Sequence, residues 1–242
     1  MTTILRLGKQ QRRQAYIFAL LMTAWCFMAG TAAAQTRYYV TPTGLVPTGM
    51  DNAWTDVIKL ETALEKAEPG DEIWVQGFEE IRKNSVDYRQ VYLAPKEGWT
   101  LKAGVKLYGG FKGNETSLEQ RATLGKAYNF ACRSILSGDI SMNDTIDHVN
   151  LISSSNALRS DNAEHVLTMN LNNSVANNIN DAVSVLDGFT IVGGHASVNG
   201  GGVLVTGHET YSCAYRIERC FFFNNYAVQN LSLIHISEPT RP

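Results

Sequence analysis

The sequence has no large excess of charge of either sign. Its 21 lysines and arginines nearly balance its 23 aspartates and glutamates, which gives a formal net charge of -2 over 242 residues. A nucleic-acid partner is expected to leave a basic stripe, and an interaction tail a run of like charges. Neither is present, so the sequence argues against nucleic-acid binding. The hydrophobic share of 44% and the aromatic share of 10% are ample for a core in one large or two small domains.

Cysteine is also scarce. The four cysteines are Cys26, Cys132, Cys213 and Cys220, and the first lies in the segment that we predict below to be removed. No pair has the C-x-x-C spacing of a metal or redox motif. We expect the three remaining thiols to be small core side chains. Cys213 and Cys220 are the close pair that an exported protein could join as a disulfide.

No apolar run is long enough for a membrane-spanning helix, which needs about 20 residues. The N-terminus instead has the three parts of a secretory signal peptide. A start with four basic residues is followed by an apolar run over residues 15–29, and Ala32-Ala33-Ala34 forms an A-x-A cleavage pattern. We therefore predict a signal peptide over residues 1–34 and a mature chain from Gln35. The protein is expected to be exported, to the cell surface, the outer membrane or the extracellular space.

Motifs of catalysis and of phosphate binding are missing as well. The histidines at 148, 165, 195 and 208 are far apart, and no G-x-S-x-G elbow marks a nucleophile. The glycine pairs lack the Lys-Ser/Thr that follows a phosphate loop. One acidic turn, Asp139, Asn143, Asp144 and Asp147, has oxygen ligands of the kind that Ca²⁺ prefers. Its spacing is not that of a known calcium loop, so a solvated loop is the alternative; no cofactor other than Ca²⁺ is expected.

What is present is a series of short β-rich runs between turn residues. Residues 105–111, 133–139 and 183–189 align without gaps, and each places a glycine three residues after an apolar residue. Such irregular repeats are typical of a solenoid, in which stacked coils share one core. Residues 55–67 precede them as an amphipathic helix, with Val57, Leu60, Leu64 and Ala67 on one face. This helix is expected to cap the first coil, since an open coil exposes unpaired backbone. A β-sandwich or an α+β domain is the alternative.

Several of these stretches resemble a known family. The segment from Asn52-Ala53-Trp54 to Ile73-Trp74-Val75 resembles the N-terminal cap and first coil of pectate-lyase-like right-handed parallel β-helix proteins. KLYGGFKGNETS over residues 106–117 is similar to large surface proteins of that group in Bacteroidetes. Gly201-Gly202-Val203, with Phe222 to Asn225, resembles the repeats of polymorphic outer-membrane proteins. The turn at residues 76–78, Gln-Gly-Phe, departs from the family's Gly-Thr-Tyr-like turn.

The resemblance covers about residues 38–227. It implies an all-β fold, a right-handed parallel β-helix with an N-terminal capping helix. Residues 35–100 would be the cap and first coil, and residues 101–230 the further coils. The same fold carries lyases, hydrolases and adhesins, so the resemblance implies the fold and export and leaves the activity open.

The last twelve residues, LSLIHISEPTRP at 231–242, look like the translation of an adapter used to prepare DNA libraries for sequencing. The alternative is a native short strand with a proline-rich end. We expect the chain to be the N-terminal fragment of a longer protein, truncated at the C-terminus within its coils. His235 and Glu238 are therefore not considered as site residues.

Two functions from different classes remain. The first is a surface scaffold for adhesion or for binding a polysaccharide or cell-surface glycan. The second is a polysaccharide lyase or glycoside hydrolase whose catalytic coils lie beyond residue 230. In the gapless alignment no two carboxylates stack at one position, and Asp139 and Asp187 are predicted to cap turns, so the catalytic residues are unknown and the first function is favoured. Tyr88, Tyr92 and Trp99 could stack on sugars, with core packing as the equal alternative.

Overall fold

Parallel β-strands make up most of the ordered architecture. The structure is a computed structural model, and it describes residues 35–46, 54–79, 91–124, 126, 130–144, 158–171, 183–207, 214–228 and 234–237. The predicted signal peptide, Tyr88, Asp147, His148, His208 and Cys213 lie outside the described residues. The described part contains one α-helix, α1 (Leu60–Lys66), and short 3₁₀ turns at Leu118–Gln120 and Leu158–Asp161. No described helix has the length and apolar character needed to cross a membrane.

The strands, in chain order, are β1 Arg37–Val40, β2 Val57–Ile58, β3 Glu72–Gln76, β4 Phe78–Glu79, β5 Val91–Leu93, β6 Trp99–Lys102, β7 Lys106–Phe111, β8 Cys132–Ser137, β9 Leu167–Asn170, β10 Ser184–Asp187, β11 Phe189–Val192, β12 His195–Ala196, β13 Val203–Thr206, β14 Tyr215–Glu218, β15 Phe221–Phe223, β16 Tyr226–Ala227 and β17 Ile234–Ser237.

Successive passes of the chain each add a strand to three main sheets, and β12 and β16 pair as a separate two-stranded sheet. The first sheet has the order β14-β10-β7-β3-β1-β2, and the third has the order β17-β13-β9-β6. The second sheet runs β15-β11-β8, with β5 parallel and β4 antiparallel to β8. All other pairings between strands are parallel. The expected all-β fold with stacked parallel strands is confirmed.

The core lies between the sheets because side chains of each strand alternate between its two faces. In the first sheet, Ile73, Leu107 and Leu186 are register partners, and all three are fully buried. Ile217 extends this column onto β14 and is only partly buried. Each pass therefore covers the apolar side chains of the pass before it, which is how a chain of short strands builds one core.

The amphipathic segment before β3 begins its helix later than the pattern predicts. Residues 57 and 58 form β2, which pairs with β1 in the register Tyr39↔Val57, and α1 begins only at Leu60. The β-branched pair Val57-Ile58 favours an extended backbone beside a free strand. The buried side of α1, with Leu60 and Leu64, packs in the same core as the sheets, so the predicted amphipathic helix is present in a shorter form.

The gapless alignment of three segments is wrong in register. Lys106 pairs with Val185 rather than with Ser184, so β7 and β10 are offset by one residue from the alignment. Residues 133–137 do not join these strands at all, because β8 lies in the second sheet and pairs with β11. Asp187 and Glu218 are register partners on β10 and β14. Two carboxylates therefore do share one register position, on a strand, β14, that the alignment of three segments did not include.

A second apolar cluster covers the outer face of the first sheet. Trp54, Trp74 and Phe111 are almost fully buried there, and the rings of Trp74 and Phe111 stack with centroids 4.5 Å apart. Trp54 donates its indole N–H to the Glu115 carbonyl at 3.0 Å. The Arg37 guanidinium lies 3.9 Å from the Trp74 ring centroid. The segment after β7 thus folds back over the sheet, which explains why β3 is buried on both faces.

The corners between sheets need glycine and asparagine. A Cβ on Gly194 would lie 1.7 Å from the Gly201 carbonyl oxygen, so only glycine fits where two segments of backbone meet. Asn225, which is buried, accepts a hydrogen bond from the Gly194 N–H at 3.0 Å and donates to the Ile191 carbonyl at 2.9 Å. Gly194 and Asn225 therefore serve the packing and hydrogen bonding of this corner.

The segment with the adapter-like sequence forms β17, which pairs with β13 in the register Val203↔Ile234. An exposed strand edge accepts any segment with β propensity, and Ile-His-Ile-Ser has the alternation of a strand. Strand formation is therefore expected for a native and for a non-native tail alike, and the origin of residues 231–242 stays a prediction.

Candidate functional site

A small depression on the outside of the second sheet is lined by two arginines and three phenylalanines. We call it the arginine depression, and the residues that define it are Phe130, Arg133, Gly188, Thr190, Arg219 and Phe221. Cys132 and Phe189 line it as well, and both are buried. Guanidinium groups beside aromatic rings form a surface that suits a carboxylate carried on a partly apolar ligand.

Strand register places these residues together. Ser134 pairs with Phe189, so Arg133 lies level with Gly188, and Phe221 pairs with Thr190 on the other side of β11. Along β8, Ser134 and Leu136 are buried, whereas Arg133 and Ile135, which alternate with them, are half-buried. Because side chains alternate along a strand, Arg133 faces outward, and Gly188 leaves room between it and Arg219.

Arg219 is held by a buried carboxylate. Its Nε donates to Asp187 Oδ1 at 2.7 Å, and its Nη2 donates to Asp187 Oδ2. Arg121 donates from Nη2 to the same Oδ2 at 3.0 Å and from Nη1 to the Gly109 carbonyl at 3.0 Å. The side chains of Asp187 and Arg121 are 0% and 2% exposed, whereas that of Arg219 is 36% exposed. In this cluster of Arg121, Asp187 and Arg219, the Arg121 end is therefore closed to solvent, and the Arg219 end opens onto the depression.

The electrostatics of the cluster follow from this difference in exposure. Burial lowers the pKa of Arg121, although the adjacent Asp187 opposes the shift. The hydrogen bonds to Asp187 raise the pKa of Arg219. The Phe130 ring lies 4.7 Å from the Arg121 guanidinium and 5.4 Å from that of Arg219, within cation–π range of both. Two guanidinium charges share one carboxylate, so the cluster keeps a positive charge next to Arg133.

Arg219 has an unusual backbone, with φ at 50°. A side chain other than glycine rarely adopts this left-handed conformation, at a cost of roughly 1 kcal/mol or more. Arg219 lies in the turn between β14 and β15, and its two hydrogen bonds to Asp187 hold it there. The turn therefore directs the guanidinium back over β10 rather than into solvent.

Next to the depression lies a pair of outward aromatic rings. Phe222 packs towards the core, so its neighbours Phe221 and Phe223 are on the outer face of β15. Their ring centroids are 6.2 Å apart and the ring planes differ by only 8°. Phe223 is 36% exposed. These two stacked rings form an apolar patch on the sheet, which we call the phenylalanine platform.

Asp187 is not available as an acid or base. Both of its oxygens accept hydrogen bonds from guanidinium groups and its side chain is fully buried. Its register partner Glu218 is 43% exposed and pairs with Arg216 at 3.6 Å. A hydrolase needs two carboxylates that both reach the substrate, and this pair does not meet that requirement. The turn-capping role predicted for Asp187 is wrong, because its partners are arginine side chains rather than backbone N–H groups.

The predicted calcium residues lie in the turn after β8. Asp139 caps this turn as expected, since its Oδ1 accepts the Asn143 N–H at 3.1 Å and its Oδ2 the Asp144 N–H at 3.3 Å. Asp139 and Asp144 are both buried, so the alternative of a solvated loop is wrong for these two residues. Asp147 lies outside the described residues. Within the described ranges, no three His, Cys, Asp or Glu side chains form a group that could hold a metal ion.

The remaining sequence candidates are explained by packing. Tyr92 is buried and donates its hydroxyl to the Gln76 carbonyl at 2.9 Å, and Trp99 is 4% exposed. Core packing, rather than sugar stacking, is therefore their role. Cys132 is a buried free thiol, as expected, whereas Cys220 is free but only partly buried as a whole residue. Burial of the Cys220 thiol raises its pKa to about 12, so it is a poor nucleophile.

Sequence reasoning did not identify the arginine depression. Its residues span positions 130–221 and share no motif, so only the strand register could have joined them. Comparisons with protein-family models, with curated proteins and with solved structures find no match to this chain. The case for a function therefore rests on the side chains themselves.

Proposed function

We propose that the chain is a rigid, exported right-handed parallel β-helix scaffold that binds an acidic polysaccharide. The passage of the chain through the same three parallel sheets supports the β-helix. The right hand follows from the general preference of connections between parallel strands. The basic start, apolar run and A-x-A pattern of residues 1–34 support export.

The observation that carries the binding function is the arginine depression beside two parallel phenylalanine rings. A polysaccharide offers hydroxyl groups on its edges and C–H groups on the faces of its sugar rings. Phe221 and Phe223 supply apolar contacts for such faces. Arg219 is 36% exposed and supplies its remaining N–H donors to a carboxylate, and Arg133 adds a second positive charge to the lining of the depression.

The positive charge of the depression favours an acidic sugar over a neutral one. Arg121 and Arg219 share the single carboxylate of Asp187, and Arg133 lines the depression together with Arg219. A uronate carboxylate would balance that charge without displacing Asp187, because Arg219 is 36% exposed on the side of the depression. The depression is small, so it suits the carboxylate, while the sugar rings lie on the phenylalanine platform.

Binding to polygalacturonate tests this function. Isothermal titration with the full chain should detect binding that weakens as salt is added, since an exposed ion pair is screened. The variants Arg133→Gln and Phe221→Ala should each weaken the binding by about tenfold, which corresponds to the loss of one charge-assisted hydrogen bond or one stacked ring. Arg216→Gln is the matched control, because Arg216 is exposed on the first sheet.

Three outcomes would contradict the proposal. Polygalacturonate that does not bind, a neutral galactan that binds equally well, or an Arg216→Gln loss equal to that of Arg133→Gln would each do so. Release of unsaturated or reducing ends during the titration would favour the enzymatic alternative instead.

A further inference from the structure

The strand β14 ends the first sheet on one side. It pairs in parallel with β10, and in the described part of the chain no strand pairs with its other side. The carbonyls of Ala214 and Glu218 accept hydrogen bonds, at 2.9 and 3.1 Å, from N–H groups at the start of β10 and just after it. Because the backbone groups of successive residues point to opposite sides of a strand, Tyr215 and Ile217 direct their N–H and C=O groups away from β10. We call this side of the strand the β14 edge.

The core is incompletely covered at the same end of the sheets. Four apolar side chains pack against the core there but stay only partly buried, namely Tyr215, Ile217, Cys220 and Phe222. Leu186, the register partner of Ile217 one pass earlier, is fully buried. The strands β15 and β17 end the other two main sheets on this side. A partner that continues the sheet beyond β14 would therefore bury apolar side chains as well as pair backbone groups.

The charges on β14 do not protect its edge against a second copy of the same strand. Arg216 and Glu218 lie two residues apart on the outer face, 3.6 Å from each other, with side chains that are 58% and 43% exposed. Natural edge strands often carry charged residues that repel another chain. Two charges of opposite sign fail in this role, because an antiparallel second copy can place its glutamate opposite the arginine and its arginine opposite the glutamate.

The backbone and the charges select the same register for such a pairing. Two identical antiparallel strands are related by a two-fold axis that passes between two copies of one residue. With the axis at Ile217, the outward N–H and C=O groups of the two Ile217 residues bond to each other. In that register Arg216 of each copy lies opposite Glu218 of the other, a favourable cross-strand pair. An axis at Arg216 or at Glu218 would instead place like charges opposite each other.

We propose that the β14 edge binds a second copy of this chain and forms a closed two-fold dimer centred on Ile217. The pairing uses the same edge of both copies, so it stops at two chains. The opposite edge of the first sheet is β2, which has only two residues, and α1 packs against β1 beside it. Head-to-tail addition of further copies is therefore disfavoured. The contact lies at the edge of the first sheet and does not depend on the polysaccharide function.

Analytical ultracentrifugation of the full chain, over an about hundredfold range of concentration, tests the dimer. We expect the mass of the wild type to rise from that of one chain to that of two and to stop there. Arg216→Glu and Glu218→Arg each place two pairs of like charges in the dimer, so each should raise the dissociation constant by about tenfold. Lys66→Glu is the matched control, because Lys66 is exposed on α1, and it should dimerise like the wild type.

Mixing the two charge variants separates contacts between chains from contacts within one chain. Each variant alone also loses the exposed pair between positions 216 and 218 of its own strand, which contributes little to folding, and circular dichroism checks that both variants fold.

In an equal mixture the acidic strand of Arg216→Glu meets the basic strand of Glu218→Arg. The mixture should therefore dimerise about as tightly as the wild type, although neither strand regains its internal pair. A wild type that stays a single chain, a mass that grows beyond two chains, or variants that do not associate on mixing would each overturn the proposal.

Discussion

Replacing Asp187 with asparagine should be among the most destabilising single changes in the described part of the chain. The change keeps the shape of the side chain but removes the charge between Arg121 and Arg219. Both Asp187 and Arg121 are almost completely buried. Removing one partner from a buried ion pair costs about 3–5 kcal/mol, mostly because the other charge stays buried without compensation.

The structure places the expected loss at the low end of that range, about 3 kcal/mol. Arg121 keeps two carbonyl acceptors, at Leu118 and Gly109, and keeps the Phe130 ring beneath its guanidinium. Arg219 is 36% exposed and can be hydrated again. The loss is therefore dominated by Arg121 alone.

Urea unfolding at pH 7, followed by circular dichroism and by tryptophan fluorescence, measures this effect. Asp187→Asn should lower the midpoint by about 1–3 M with an unchanged slope. Glu218→Gln is the matched control, because Glu218 is the register partner of Asp187 but pairs with Arg216 at the surface. An exposed ion pair contributes about 0–1 kcal/mol. Equal midpoints for the two variants would refute the assignment of Asp187 as the buried centre of the cluster.

Three further changes test other parts of the structure. Trp74→Ala should cost about 3–5 kcal/mol in urea unfolding, since Trp74 is 0% exposed and stacks on Phe111; a loss below 1 kcal/mol would contradict the packing of the outer cluster. Gly194→Ala should cost about 3 kcal/mol in the same assay, because the new Cβ would meet a carbonyl oxygen at 1.7 Å; a neutral result would contradict the close approach. Asp139→Asn should change the pH dependence in buffer without Ca²⁺. Burial and the Asp144 charge raise the pKa of Asp139, so its contribution is largest below the ordinary pKa and is lost as pH rises through the raised value. The variant should therefore gain stability relative to wild type as pH rises above the ordinary carboxyl pKa of about 4, and a parallel pair of pH profiles would contradict this.

Local pattern was sufficient to predict several of the strands. The strands β7, β8 and β10 fall at the predicted runs 105–111, 133–139 and 183–189 to within a few residues, because apolar residues flanked by turn residues leave few alternatives. The helix was predicted five residues too early. The periodic face of the predicted helix included Val57. In the structure the backbone of Val57 pairs with β1 instead, and a local pattern cannot reveal a pairing partner that is distant in sequence.

Register could not be predicted by matching segments without gaps. Between the pairs Trp74↔Tyr108 and Gln76↔Phe111, β7 has one residue more than β3. The alignment matched Gly110 to Gly188 and so moved the strand residues before them by one position relative to their true partners. A bulge of one residue is enough for this error. It adds one residue to the bulged strand, whereas the sequence pattern of the partner strand stays the same, so an alignment without gaps loses the register.

The site depends on register more strongly than the fold does. A shift of one residue along β8 would bring Arg133 into the core and Ser134 to the surface, since adjacent side chains point to opposite faces. The buried hydroxyl of Ser134 fixes the true register, because it donates to the Val75 carbonyl at 2.9 Å and accepts the Gly110 N–H at 2.9 Å. Its two bonds reach the first sheet, so the outward direction of Arg133 is set by contacts on the opposite side of the strand. A binding surface of this kind is a consequence of the packing behind it, and the arginines that form it have no signature of their own in the sequence.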